Sequence, residues 1–254
     1  MYLTLPLHNV PKKKYFFKIP VTKLCFFTVS LPLLAFFVCV IITMYKDFEN
    51  ANNTHCKVPN VFPSISASIG NYEPQNTIWK VAIYVHAPFR FFIIYLRGQH
   101  YMNIIRDEYF LVVKWAIILN VIENLALLGL THWTSSLYYP YHEVCFKTFI
   151  GTSIFYMFFT CMMLTKYRRR PNITSIELIS VKLKWRSFFI NVGSFAFAAY
   201  FFLRHNKLCE PYVYSMFGFS EYVVVISNVA FHLTTVYDLQ IEYVYFTSKG
   251  IAIE

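Results

Sequence analysis

The chain has 254 residues and a net charge of +10; 57% of its residues are hydrophobic and only 14% charged, where a soluble globular chain carries about 25% charged residues. Too little polar surface is available for a water-soluble domain, and the few glycines and prolines exclude a collagen-like or Pro/Gly-rich disordered chain. The basic residues sit in short clusters beside apolar runs, the pattern of membrane-topology determinants rather than of a nucleic-acid surface, so no nucleic-acid partner is expected.

A membrane-spanning helix needs about 20 mostly apolar residues, and six such stretches follow one another. They run from about Leu24 to Met44, Thr77 to Leu96, Tyr109 to Leu130, Val144 to Leu164, Trp185 to Leu203 and Tyr212 to Tyr237. Period-2 alternation is absent, which argues against a barrel. No repeat divides the six into equivalent halves. The expected class is an all-α bundle of about six transmembrane helices, one domain over 24–237. A basic N-terminus over 1–23 precedes it and a tail over 238–254 follows it.

Charge sets the expected orientation. The N-terminal lysines Lys12, Lys13, Lys14, Lys18 and Lys23 precede a run too long for a cleaved signal peptide and lacking a small-x-small cleavage site, which reads as a signal-anchor. With that end cytoplasmic, its side also holds Arg97, Arg106, Lys166, Arg168, Arg169, Arg170, Lys182, Lys184, Arg186 and Lys249, while the other side holds Lys46, Lys57, Arg204 and Lys207. The positive-inside rule then places both termini in the cytoplasm, with a basic cytoplasmic loop over 165–184. The loop over 47–76 falls in the lumen. It carries the sequon Asn52-Asn53-Thr54 on the side where glycosylation is permitted. Cys56 and Cys209 lie in two lumenal loops, and an oxidising compartment allows a disulfide between them.

Ionisable residues inside the membrane are expensive and usually face a bundle interior or a watery cavity. At about 1.5 Å per residue, His86, Glu123 and Glu221 fall at similar depths on the lumenal side of the midplane. Asn120, Glu123 and Asn124 share one helix face. Arg90 sits one turn from His86, where it can pair with a glutamate of another helix, and Pro88 opens the backbone between them. Glu221, Asn228 and His232 make a second stripe. Two readings stay open: a functional cavity, or a polar clamp that fixes helix packing. A further group, His132, His142, Glu143, Arg204, His205 and Lys207, lies at the lumenal mouth and suits a phosphate-bearing headgroup. The spacing of its histidines carries no metal-ligand signature, so no metal is expected. Neither a GxSxG elbow nor a P-loop nor a dinucleotide fingerprint occurs.

Longer strings carry a resemblance: THCKVPNVFPSISASIG at 54–70, PQNTIWK at 74–80, HAPFRF at 86–91, NVIENLALLGLT at 120–131, RHNKLCEPYVYSMF at 204–217 and EYVVVISNVAFHLT at 221–234. These resemble the post-GPI-attachment-to-proteins factor two family, related to the N-terminal part of a fungal factor that remodels GPI lipids. The resemblance implies a Golgi membrane protein, with the endoplasmic reticulum as the other compartment. It implies a role in replacing the sn-2 chain of lyso-GPI by a saturated one, for stable surface expression of GPI-anchored proteins. An acyltransferase needs a base and oxyanion donors. The residues assigned here are His86 as base oriented by Glu123 or Glu221, Arg90 for charge balance, and Asn120 and Asn124 as oxyanion donors. Arg204 and His205 would hold the inositol phosphate, with His142 and Glu143 near it. The co-substrate would be an acyl donor, acyl-CoA or a phospholipid; the partners would be lyso-GPI, GPI-anchored proteins, the bilayer and other remodelling proteins. A non-catalytic lyso-GPI-presenting subunit is the alternative.

Overall fold

The computed structural model describes residues 15–240, 243–247 and 250–253; Lys12, Lys13, Lys14 and Lys249 lie outside them. The long helices are α1 (Val21–Lys46), α4 (Gln75–Ile104), α5 (Phe110–His132), α6 (Tyr139–Lys166), α7 (Ser175–Leu208) and α8 (Val213–Leu233). Short helices α2 (Phe48–Asn52) and α3 (Ile65–Gly70) lie between α1 and α4, and α9 (Thr235–Asp238) continues α8. Six helical segments are long and apolar enough to cross a membrane, and the protein is a multi-pass membrane protein. All six are longer than the minimal span, because polar residues at their ends extend the helix beyond the hydrocarbon. The helix α4 continues through Pro88.

In chain order the long helices alternate in direction, and each touches its neighbours so that α1, α4, α5, α6, α7 and α8 form a closed ring, α8 returning to α1. Of the two ends of this ring, one carries α2, α3 and a Cys56–Cys209 disulfide, the bond expected between the two loops. At the other end the chain before α1 and the chain after α9 pair as a small antiparallel sheet, an addition to the expected helical fold. Its strands β1 (Tyr15–Pro20), β2 (Tyr243–Thr247) and β3 (Gly250–Ile253) lie in that order, with Ile19 opposite Val244 and Val244 opposite Ile253. We refer below to the α3 end and the sheet end.

The segment read as a basic loop over 165–184 is corrected. The sequence Thr174-Ser175-Ile176-Glu177 is a capping box: Thr174 Oγ1 accepts from Glu177 N, and Glu177 Oε2 accepts from Thr174 N at 2.8 Å. Two otherwise unpaired donors are satisfied, so α7 starts at Ser175, ten residues before the apolar run. Lys184 is therefore helical and wholly buried. Its Nζ lies 2.7 Å from Asp238 Oδ2 and 2.5 Å from Ser180 Oγ. Arg97 is likewise inside the bundle, 2% exposed on α4, and neither residue belongs to a surface charge cluster.

Asn52, the asparagine of the expected sequon, is buried in α2, where its Nδ2 donates to Phe48 O at 2.9 Å.

The Lys184–Asp238 pair joins α7 to α9 with both side chains out of solvent. Removing one partner of such a pair leaves an uncompensated buried charge, a loss of about 3–5 kcal/mol. Asp238→Asn should lower the thermal unfolding midpoint in detergent accordingly, and Lys184→Met combined with Asp238→Leu should recover most of it.

Candidate functional site

One large cavity lies inside the ring towards the α3 end. Its volume is about 140 Å³, and residues of α1, α3, α4, α5, α6, α7 and α8 line it. Its walls are apolar, including Phe36, Trp79, Leu127, Phe149 and Phe195. Its polar lining gathers His86, Arg90, Glu123, Asn124, His142 and Glu221 from the sequence-derived set, joined by Asn228 and His232. The expected polar stripes thus converge on one space.

Its floor is a hydrogen-bond network across four helices. Asn228 Nδ2 donates to Glu123 Oε1 at 2.9 Å and to Ser153 Oγ at 2.7 Å. His232 Nε2 lies 3.1 Å from Glu123 Oε1 and its Nδ1 3.4 Å from Arg97 Nη1. A guanidinium can only donate, so His232 Nδ1 accepts from Arg97 and Nε2–H donates to Glu123. Both ring nitrogens are then committed. Tyr156 stacks on the His232 ring at 5.4 Å, and the Arg97 guanidinium lies 5.2 Å from the Tyr156 ring centre. This network also contains the clamp that the sequence left as an alternative: it fixes packing, and it bounds the cavity.

Several expected roles are corrected by these bonds. Glu123 is paired with His232 and Asn228 rather than with His86. The other glutamate, Glu221, accepts from the backbone of Ile65 at 3.1 Å; it holds α3 and does not orient His86. Among the described residues, Arg90 forms no ion pair with a glutamate. Its Nε donates to Asn124 Oδ1 at 3.2 Å, which leaves its two terminal nitrogens for a ligand. That acceptor role turns the Asn124 amide nitrogen towards Asn120, where it donates to Asn120 O at 2.6 Å and Oδ1 at 3.1 Å. Asn124 therefore has no donor left for an oxyanion. Asn120 faces a separate small hollow with Arg97, Tyr101 and Tyr156.

Two unsatisfied atoms remain in the cavity lining, His86 Nδ1 and Glu123 Oε2, on side chains 5% and 2% exposed. Buried polar atoms are normally paired, so these mark where a ligand or water completes the site.

The mouth group does not assemble as expected. Arg204 is engaged by Glu210 through Nε and Nη2 and by Tyr200 OH through Nη1 at 2.7 Å. The Arg204 hydrogen bonds hold the Glu210 carboxyl below the usual carboxylate range. His205 is fully buried, its Nε2 3.1 Å from Thr54 Oγ1. Glu143 pairs with Lys147 at 2.6 Å, and Tyr84 OH lies 3.4 Å from His132 Nδ1. None of these four lines the cavity, and Arg204 and His205 are engaged by protein groups. Only His142 reaches it, and it serves the lid: Trp133 O must accept from its Nδ1 (2.8 Å), so its Nε2 accepts from Ser66 Oγ at 2.9 Å.

That lid is the segment 58–70, including α3. Tyr222 OH donates to Pro63 O at 2.7 Å, and Thr43 Oγ1 donates to Ser68 O at 3.0 Å. Val61 N donates to Ser215 Oγ at 2.7 Å. Gly218 lets the lid lie directly on α8, since a β-carbon there would meet the carbonyl oxygens of Phe62 and Pro63 at 2.8 Å. Gly218→Ala should lift the lid at a cost of about 1–3 kcal/mol. It would be read as a lower unfolding midpoint and faster proteolysis within 58–70, whereas unchanged proteolysis would count against the contact.

Sequence reasoning placed Asn228 and His232 on a stripe but gave them no role, and missed Ser153 and Tyr156. Arg97 lies seven residues, two turns, beyond Arg90 and so on the same face. That spacing was available as a signal that Arg97 points inward.

The Frag1/DRAM/Sfk1/Cwh43P N-terminal domain family matches residues 20–242. The chain is 41% identical over 231 residues to "Post-GPI attachment to proteins factor 2" of Drosophila melanogaster, covering 89% of this chain and 88% of that one. It is 34% identical over 226 residues to the protein of the same name from Caenorhabditis elegans, covering 87% and 86%. To "Acyltransferase PGAP2" of Danio rerio it is 35% identical over 214 residues, covering 81% and 89%. No solved structure matches it.

Proposed function

The chain belongs to the Frag1/DRAM/Sfk1/Cwh43P N-terminal domain family, and from that membership we propose that it acts in remodelling the lipid of GPI anchors, as an acyltransferase that re-acylates lyso-GPI at sn-2. The names of its relatives support the setting and one of them the reaction class. We place the α3 end in the lumen of the Golgi or endoplasmic reticulum, the leaflet where GPI anchors lie.

The observation that carries the reading is a histidine without a side-chain partner beside a buried guanidinium, in one cavity with hydrocarbon walls. His86 takes the proton of the lyso-lipid hydroxyl as its oxygen attacks the carbonyl carbon of the acyl donor. The terminal nitrogens of Arg90 hold the oxyanion that forms, in a dry site where such donors are most effective. Collapse breaks the bond to the donor's thiol or glycerol oxygen, which leaves with the proton returned by His86. Glu123 offsets part of the positive charge of Arg90 and Arg97.

The second reading, a subunit that binds and presents lyso-GPI to a separate acyltransferase, is favoured by one observation: among the described residues, no carboxylate is hydrogen-bonded to His86 to orient the ring.

Purified protein in liposomes, given lyso-GPI and a labelled saturated acyl donor of either class, should transfer the chain. Loss of a general base costs about 10²–10⁴-fold, so His86→Ala should lose transfer by that factor while retaining lyso-GPI binding. Full transfer by His86→Ala overturns the base assignment. Saturable binding without transfer by the unaltered protein selects the presenting subunit.

A further inference from the structure

The six helices do not pack equally along their length. The pair α5/α6 is close at the α3 end, where a β-carbon on Gly129 would lie 2.5 Å from Cys145 Sγ. The pair α7/α8 is also close there, with Phe202 and Phe217 ring centres 5.2 Å apart. Between these pairs, α6 meets α7 towards the sheet end: Trp185 Nε1 donates to Thr165 Oγ1 at 3.0 Å, and the Phe158 and Phe188 rings lie 6.0 Å apart. The buried core repeats the pattern. The cluster towards the sheet end draws on α6 and α7 through Met157, Cys161, Val181 and their neighbours. The cluster beneath the lid, built on Phe36, Trp79, Ile83 and Tyr222, takes nothing from either helix. Towards the α3 end, what α6 and α7 offer is cavity wall: Phe146, Phe149 and Ile150 from one, Phe195 from the other.

We infer that the cavity opens sideways into the bilayer between α6 and α7, and that this cleft takes a single hydrocarbon chain of a lipid whose polar group lies at Arg90. The lining is graded in the sense such an amphiphile requires. Aromatic and aliphatic side chains form the α6/α7 side, while the terminal nitrogens of Arg90 and the unsatisfied His86 Nδ1 and Glu123 Oε2 wait on the inner side. The cavity volume of about 140 Å³ is close to that of an engineered apolar hole that holds one benzene ring. It accommodates the ester or hydroxyl end with a few methylenes, so the rest of the chain must lie in the cleft and beyond it in lipid. The lid closes the α3 end through Glu221, Tyr222, Ser215 and Gly218, which leaves the side as the route for a molecule that never leaves the membrane. The inference rests on the proposed function for the identity of the lipid, and on the cavity alone for the class.

The test uses the full chain in nanodiscs with a lysophospholipid bearing a diazirine on its single acyl chain, followed by peptide mapping after illumination. Labels should fall on the α6 and α7 peptides holding Phe146, Phe149 and Phe195, and an unlabelled single-chain lipid should compete them away. Phe149→Trp with Phe195→Trp should fill the cleft, reducing the labelling at least tenfold and slowing acyl transfer. Gly151→Ala on α6, where an added β-carbon meets nothing within 4 Å, should leave both unchanged. Labelling that is spread over the outer faces of all helices, or that competitor and tryptophans leave intact, overturns the cleft, even where transfer is normal. Competable labelling at the cleft by a protein that transfers no chain supports the cleft and overturns the catalytic reading instead.

Discussion

A carboxylate embedded among hydrophobic helices has to be compensated where it stands, since desolvating it alone is prohibitive. Glu123 meets that demand with groups from three other helices: Asn228 and His232 of α8 directly, Ser153 of α6 through Asn228, and Arg97 of α4 through His232. Each of these bonds tolerates only a few tenths of an ångström, so together they fix the axial register of α4, α5, α6 and α8. Hydrophobic packing between helices in lipid supplies no such register, because lipid tails are as apolar as the side chains they replace. The cavity is the space left above this floor once the register is set.

The roof follows a different logic. The lid over 58–70 is anchored by groups that would otherwise read as catalytic. Glu221 receives a backbone N–H, and His142 has both nitrogens occupied. On the opposite side of the lid, Cys209 turns through φ 49° to end α7, and its disulfide ties that turn to Cys56 beside the lid. A chain loop over a hydrocarbon-walled hole needs such anchoring, since its own backbone donors must be satisfied locally. Tyr72, at the foot of the same loop, has its hydroxyl pKa raised by burial and by the nearby Asp47 carboxylate, so it stays protonated through the neutral range.

The spans, their number and the shared depth of His86, Glu123 and Glu221 were legible because hydropathy and helix rise are properties of the local chain. The start of α7 was legible in principle, as Thr174 to Glu177 spells the capping box, but charge counting assigned that stretch to a loop. The pairings were not legible. Whether Glu123 meets His86 or His232 depends on rotation and register of helices far apart in sequence, which depth alone does not determine. Arg97 and Lys184 misled for the same reason: near an apolar run's end, a snorkelling surface cation and a buried ion-paired one look identical. The sheet escaped notice because β1 and β2 are separated by the whole bundle and neither is long enough to announce itself. An even number of crossings returns the tail to the end where the chain entered, where β2 can meet β1.

Satisfaction, rather than residue type, separates function from architecture in this cavity. The sequence offered His86, His142, His232, Glu123, Glu221 and Arg90 on depth, position and residue type alone. Counting bonds divides them. His232, His142 and Asn124 have spent their donors and acceptors on the protein itself, and any ligand approaching them must first break a bond formed in a low-dielectric interior. His86 Nδ1, the terminal nitrogens of Arg90 and one oxygen each of Glu123 and Glu221 have not. A protein that keeps polar groups uncommitted in hydrocarbon gives up stability at each one. That sacrifice is intelligible where a substrate with a hydroxyl or ester group spends part of its time completing the set. The bonds of the floor serve the same end: the groups left open hold their positions because Glu123, Asn228 and His232 beside them are tied across helices.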